Sequence, residues 1–117
     1  MTATLLDGKA IARDIRAGIK TRAAALRQRH GVTPGLAVVL VGCNPASRLY
    51  VNNKIKACAE VGIRSVLHEY PAEVDPVEII DLIKRMNADP AVHGILVQLP
   101  LPAHHDIRTV LRTIAME

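Results

Sequence analysis

The stretch LAVVLVG, residues 36 to 42, decides the fold class. Its apolar residues run without a polar interruption into a glycine, which is typical of a strand buried on both faces of a parallel sheet. Two further strands are predicted at IRSVLHEY, residues 63 to 70, and at HGILVQLPLP, residues 93 to 102. The second of these is more polar than the other two, so we expect it nearer an edge of the sheet.

Four helices are predicted around these strands. The first is capped by Asp7, runs to about His30 and stops at Gly31. Its apolar residues recur at helical spacing, so they are expected to form a buried stripe of Ile11, Ile15, Ile19 and Leu26.

The other helices carry clear starting signals. Asn44 followed by Pro45 begins the second helix, Asp75 followed by Pro76 begins the third, and a short helix covers about 106–114. Strands that alternate with helices predict an α/β fold: a three-layer α-β-α domain with a small, mostly parallel sheet.

Composition narrows the possible partners. The 117 residues are half hydrophobic, which suits one domain with a real core. No apolar run approaches the roughly 20 residues of a membrane span. The N-terminus also lacks a secretory signal. Cys43 and Cys58 do not have the spacing of metal ligands, so we interpret them as reduced thiols. We therefore expect a cytoplasmic protein with no metal site and no membrane partner.

The net charge of +4 arises partly from basic residues on the first helix. The composition includes two tyrosines and neither Phe nor Trp, so no aromatic platform for nucleic acid is visible. A solvated helix face accounts for the charge better than a nucleic-acid partner.

Candidate functional residues follow two of the predicted strands. Ligands of open α/β sheets bind beyond the carboxyl ends of the strands. The segment VGCNPASRLYVNNK, residues 41 to 54, follows the first strand and carries Ser47, Tyr50 and Lys54. Gln98 follows the third strand. If these two strands are neighbours, all four side chains converge on one cleft.

Lys54 is the most informative of these residues. It lies along the edge of the apolar arc of its helix, so we expect it to face the interior. Burial disfavours the charged form of a lysine and prepares it to exchange protons near neutral pH. Tyr50 lies one turn earlier on the same face and offers a ring for stacking, and Gln98 offers an amide to hold the amine. The residues alone predict a small-molecule site with a proton-transferring lysine. A structural or solvated lysine is the alternative.

The segments NPASRLYVNNK and QLPLP together resemble the two signature segments of the bifunctional methylenetetrahydrofolate dehydrogenase/cyclohydrolases. The opening LLDGKAIA and the strand PGLAVVLVG are similar to the family as well. The resemblance implies oxidation of 5,10-methylenetetrahydrofolate with NADP, followed by hydrolysis of the methenyl form to 10-formyltetrahydrofolate. It also implies the amino-acid-dehydrogenase-like N-terminal fold and a homodimer of the full-length protein.

The resemblance assigns roles to individual residues. Lys54 would be the catalytic lysine, Gln98 would hold and tune it, and Tyr50 would stack along the folate. Ser47 would lie near the lysine and, with Tyr50, belong to the substrate-binding residues. The pterin pocket would be walled by Leu99, Pro100 and Pro102.

The resemblance also predicts a domain division. Members of the family continue with a K-D-V-D-G-F type segment and an NADP-binding Rossmann domain. Neither is found in residues 1–117, and no G-x-G-x-x-G loop is present. We therefore expect residues 1–117 to be the folate-binding catalytic domain, with no cofactor-binding residues. Two alternatives are a folate-binding remnant without turnover and the substrate domain of another α/β dehydrogenase.

Overall fold

The computed structural model describes residues 7–115. Helices and strands alternate throughout, in the order α1 Gly8–His30, β1 Gly35–Val41, α2 Pro45–Val61, β2 Arg64–Tyr70, α3 Pro76–Asn87, β3 Gly94–Val97 and α4 Ile107–Thr113. The order predicted from the sequence is confirmed.

The three strands form one parallel sheet with the order β2-β1-β3. The central strand β1 pairs along its whole length with β2, and Leu36 to Val39 of the same strand pair with β3. The expected α/β class is confirmed, and so is the position of β2 at an edge of the sheet. This order makes β1 and β3 direct neighbours, as the convergence of the candidate residues requires.

The two faces of the sheet are covered by different helices, which gives the expected three layers. On one face, Ala37, Val39 and Val41 belong to a core cluster that includes residues of α3 and α4. On the other face, Val38 and Leu40 pack against Val51 of α2. Because alternate residues of a strand point to opposite faces, a strand that is covered on both sides must be apolar at every position.

The helix starts follow the capping signals in the sequence. The side chain of Asp7 accepts hydrogen bonds from the N–H groups of Lys9 and Ala10, and Asn44 and Asp75 cap α2 and α3 in the same way. At the end of α1, Gly31 adopts φ 65°, a left-handed conformation that favours glycine. These local contacts set where α2 begins, and therefore where Tyr50 and Lys54 lie.

The predicted buried stripe of α1 is wrong. The side chains concerned are between 36% and 57% exposed: Ile11, Ile15, Ile19 and Leu26. The reason is the position of α1, which packs on α2 rather than on the sheet. Ala23 is the one residue of α1 classed as buried. Among residues 7–115, no helix combines the length and the apolar composition needed to cross a membrane.

Two glycines provide a test of how tightly β1 is held. A Cβ built on Gly35 would overlap the backbone carbonyl of Ala91, whereas nothing lies within 4 Å of a Cβ on Gly18 in the middle of α1. We expect Gly35→Ala to lower the free energy of unfolding by about 1–3 kcal/mol, because a backbone group cannot rotate away. Gly18→Ala should raise it by about 0.5–1 kcal/mol through helix propensity. Chemical denaturation of both variants measures the contrast, and equal effects would contradict the tight approach at Gly35.

Candidate active site

The candidate residues meet at the carboxyl edge of the sheet. After β1, Gly42 turns the chain with φ 95° and leads to Asn44, the cap of α2. After β3, the N–H of Gln98 donates to the carbonyl of Val39 at 2.9 Å, which extends the β1–β3 ladder by one residue. Gln98 is therefore held directly beside the strand that leads into α2.

A side-chain hydrogen bond joins the two segments. The Nζ of Lys54 donates to the Oε1 of Gln98 at 2.7 Å, and the Nε2 of Gln98 donates to the carbonyl of Leu99 at 3.0 Å. Because the amide nitrogen is engaged by that carbonyl, the amide oxygen faces the lysine. The predicted contact between Lys54 and Gln98 is present, although its catalytic role stays a prediction.

The expectation that Lys54 faces the protein interior is wrong for the described chain. Lys54 is exposed, while Gln98 is buried with 8% of its surface accessible. The lysine starts from the rim of α2, and its long side chain reaches across to the glutamine. The predicted apolar face of α2 beside Lys54 does pack inward, since Val51 is fully buried and Ile55 is half-buried. Lys54 thus lies at the edge of the packed face, at the mouth of the cleft.

Tyr50 lies one helical turn before Lys54 and is 56% exposed. The four-residue spacing places both side chains on one face of α2. Leu99, which directly follows Gln98, is 42% exposed. An exposed ring one turn before the amine, and an exposed apolar side chain next to the amide that binds the amine, offer a surface that a flat, partly polar ligand can cover.

The remaining predicted residues differ in their accessibility. Ser47 is buried at 4% exposure, and its N–H donates to the Oδ1 of Asn44 at 3.2 Å. It supports the start of α2 rather than facing solvent. Pro100 is exposed and Pro102 half-buried, and the Leu99–Pro100 peptide bond is cis. Leu99 and Pro100 are therefore accessible next to Gln98, with Pro102 further along the same loop, and their role as walls of a pterin pocket stays a prediction.

Other ionisable groups lie away from the lysine. Arg48 and Glu69 form an ion pair on the opposite flank of α2, at the end of β2. Burial raises the pKa of the Cys58 thiol, which favours its protonated form. No cluster of three side chains in residues 7–115 is suited to hold a metal ion.

Sequence reasoning missed two residues of the loop that follows Gln98. Leu101 is 9% exposed and belongs to the core cluster beneath α3 and α4. His105 is 6% exposed, and neither of its ring nitrogens has a hydrogen-bond partner among the described residues. No sequence signal distinguished His105 from its exposed neighbour His104, because their difference in burial arises from tertiary packing.

Comparison with known proteins places the chain in a family. The sequence-family model described as tetrahydrofolate dehydrogenase/cyclohydrolase, catalytic domain, matches residues 6–117 of this chain. The chain belongs to this family. Its curated relatives include proteins named bifunctional protein FolD from a Polaromonas species, at 58% identity over 98% of the chain, and from Methylibium petroleiphilum, at 55% identity over 98% of the chain. The chain spans 41% and 40% of the lengths of these two relatives.

Solved structures of the tetrahydrofolate dehydrogenase/cyclohydrolase family share the fold. The bifunctional FolD enzyme of Campylobacter jejuni aligns with a TM-score of 0.92 at 45% identity, over 96% of this chain and 39% of that one. The Trypanosoma brucei enzyme, solved with NADP cofactor and an inhibitor, aligns with a TM-score of 0.90 at 36% identity, over 99% of this chain and 40% of that one.

The Lys54–Gln98 contact of this tetrahydrofolate dehydrogenase/cyclohydrolase domain has a measurable consequence. Gln98→Leu removes the acceptor of the lysine amine while keeping a buried side chain of similar size. Hydrogen bonds to charged groups contribute about 1.5–3 kcal/mol, less where solvent competes, so we expect Lys54 to react roughly three- to tenfold faster with an amine-acylating reagent. Peptide mapping of the labelled protein measures the rate at each lysine. Lys56 on the solvent side of α2 is the internal reference, and an unchanged ratio of Lys54 to Lys56 labelling would contradict the contact.

Proposed function

We propose that this chain is the folate-binding catalytic part of an NADP-dependent methylenetetrahydrofolate dehydrogenase and methenyltetrahydrofolate cyclohydrolase. The proposed protein oxidises 5,10-methylenetetrahydrofolate to the methenyl form and hydrolyses that product to 10-formyltetrahydrofolate, in one-carbon metabolism. The observation that carries the proposal is the 2.7 Å bond between Lys54 and Gln98 at the carboxyl edge of the sheet, in a member of this family.

Lys54 is the proposed proton carrier. Hydrolysis of the methenyl carbon requires that the attacking water loses a proton and that the nitrogen released from this carbon gains one. An amine that is held beside the reacting atoms can accept the first proton and return the second. Gln98 accepts one N–H of Lys54, so the other positions on the amine remain free to point into the cleft.

The surrounding residues are proposed to bind the folate. Tyr50 provides an exposed ring on which the substrate can stack and a hydroxyl that can form a hydrogen bond. Leu99, Pro100 and Pro102 supply the opposite, apolar wall of the pterin pocket. Ser47 is buried in the first turn of α2, the helix that presents Tyr50 and Lys54.

The residues described do not fit NADP. The N–H groups that open a helix are the usual partners of a phosphate. In this chain, the starts of all four described helices are already occupied by their own capping side chains: Asp7, Asn44, Asp75 and Asp106. Three of these are carboxylates, which repel a phosphate. We therefore assign folate binding and proton transfer to these residues and propose that the hydride acceptor binds outside residues 7–115.

A folate-binding module without turnover is the second candidate. The exposure of Tyr50 and Lys54 favours it, because acid–base catalysis usually proceeds in a site closed to water. Turnover by the full-length protein discriminates between the two functions. The resemblance also supports a homodimeric, cytoplasmic full-length protein, and a monomer mass at micromolar concentration in light scattering would count against the dimer.

Replacing the lysine tests the proton carrier. Lys54→Met keeps the aliphatic length of the side chain and removes the amine, so hydrolysis of methenyltetrahydrofolate by the full-length protein should fall by about 10²–10⁴-fold. The absorbance of the methenyl substrate follows the rate. Lys56→Met is the matched control, since Lys56 lies two residues away on the solvent side of α2, and it should retain the original rate.

A contrast within the same assay separates catalysis from binding. Tyr50→Ala should raise KM by roughly two- to tenfold, the effect of an aromatic contact, with a smaller change in kcat. If Lys54→Met retained the original rate of hydrolysis, or if Tyr50→Ala lost only kcat, the roles proposed for these two residues would be wrong.

A further inference from the structure

His105 is a buried titratable side chain that the proposed chemistry does not use. It is 6% exposed, and neither Nδ1 nor Nε2 has a hydrogen-bond partner among the described residues. Its backbone N–H donates to the carbonyl of Pro102 at 3.0 Å, which closes a turn. Burying a polar group without a partner is unfavourable, and burying a charged one is far more so. The imidazole can therefore remain packed at this position only in its neutral form.

His105 lies on the loop that begins at the candidate active site. The segment 99–106, here called the exit loop, runs from Gln98 to the start of α4. Leu101 anchors its middle in the core cluster that also contains Val74 and Val110. Near its end, a ring nitrogen of His104 lies 3.0 Å from the carbonyl of Val74, and the ring of His104 packs 4.3 Å from that of His105. The exit loop is thus held against the segment before α3 by an apolar side chain and by two imidazoles.

Three charged or titratable groups surround His105. On its own loop, the ring of His104 packs against that of His105 at a tilt. The carboxylate of Asp106 is directed to the start of α4, where it accepts hydrogen bonds from the Arg108 N–H and from the Thr109 hydroxyl, each at 3.0 Å. From the start of α3, Asp75 faces it. Burial lowers the pKa of His105 and the neighbouring His104 lowers it further, while the Val74 carbonyl, which is close to the ring but outside hydrogen-bonding geometry, and Asp75 oppose this. Protonation of the packed ring is therefore less favourable than protonation of a free histidine.

We propose that the exit loop is an acid-released wall of the Lys54 cleft, with His105 as the latch that holds it. When His105 is neutral, its ring stays buried against that of His104, and the loop is docked against the segment before α3. When it is protonated, the ring leaves the interior and the loop detaches from α3. The release follows from the packing of His105 alone, while its effect on folate binding rests on the proposed function.

The docked loop also positions the lysine. The orientation of the Gln98 amide depends on the carbonyl of Leu99, the first residue of the exit loop. Leu99 and Pro100 are also the accessible side of the cleft. Release of the loop therefore removes both the wall and the carbonyl that turns the amide oxygen toward Lys54. His105 is accordingly a positioning residue that acts through Gln98.

The direction of the pH effect follows from proton linkage. The docked state holds His105 with a pKa below its ordinary value of 6.5, so the undocked state takes up the proton first as the pH falls. The docked state is fully stable above about pH 6.5 and loses up to about tenfold in its equilibrium constant for each pH unit below that. The loss stops once the pH falls below the lowered value.

The test compares the full-length protein with His105→Leu and, as control, with His30→Gln, which changes an exposed histidine at the end of α1. Amide hydrogen exchange is measured from pH 8 to pH 5, after correction for intrinsic exchange, at residue 105, whose N–H donates to the carbonyl of Pro102, and at Val110, whose N–H donates to the carbonyl of Asp106 at the end of the loop. We expect acid to raise opening of the loop in the original protein and in His30→Gln by roughly threefold to tenfold or more. His105→Leu, which fills the position with an apolar side chain, should show no such rise.

The outcomes distinguish a latch at His105 from a general loss of stability in acid. The same acid-dependent opening in His105→Leu as in the original protein would overturn the proposal, and so would a pH effect on global unfolding without any on loop amides. If His105→Leu does not fold, the NMR signals of the His105 ring decide within the original protein: the pKa of His105 must lie below the ordinary value of 6.5, and a pKa at or above that value overturns the latch. Affinity for a folate analogue, measured at pH 8 and pH 5, adds the functional readout. Absence of folate binding at every pH contradicts the proposed function but leaves the exchange result to judge the latch.

Discussion

The parallel pairing of β1 with both of its neighbours is the constraint on which the rest of the structure depends. Parallel strands bring their carboxyl ends to one edge of a sheet, and the order β2-β1-β3 makes the ends of β1 and β3 adjacent. The segment that follows β1 becomes α2, and the residue that follows β3 is Gln98. A hydrogen bond between residues 44 positions apart, Lys54 and Gln98, is therefore a direct consequence of strand order.

The candidate site joins a rigid element to a less regular one. α2 is fixed by its Asn44 cap and by Val51, which packs on the sheet, so Tyr50 and Lys54 are presented by a helix with a defined rotation. The opposite wall is proposed to belong to the exit loop, which has no regular hydrogen-bond ladder and which we propose is held in position by Leu101 and the paired histidines. The cleft is therefore preorganised for a ligand only while that loop is docked.

Exposure separates two groups of apolar side chains in this chain. The residues of β1 and α3 are buried because they pack together across one face of the sheet. The isoleucines of α1 are exposed on the outside of the α2 layer. Tyr50 and Leu99 are exposed near Lys54 and Gln98. These two exposed sets lie on different elements and are exposed for different physical reasons. The stripe of α1 lacks a covering element among residues 7–115, whereas Tyr50 and Leu99 flank an amine that is oriented by a buried amide.

Much of this protein was determined by the sequence through local physical rules. The uninterrupted apolar run of β1, the alternation of strands with helices, and the capping pairs Asn44–Pro45 and Asp75–Pro76 predicted the fold class and the helix starts. The four-residue spacing of Tyr50 and Lys54 and the strand-end position of Gln98 predicted the contact, because helical periodicity and strand ends are properties of short segments. Tertiary structure alone decided burial: that Lys54 reaches Gln98 from an exposed rim, that the isoleucine stripe of α1 is uncovered, and that His105 is enclosed while His104 is not. Burial depends on which distant elements pack together, and adjacent residues with the same side chain carry no local signal of that difference.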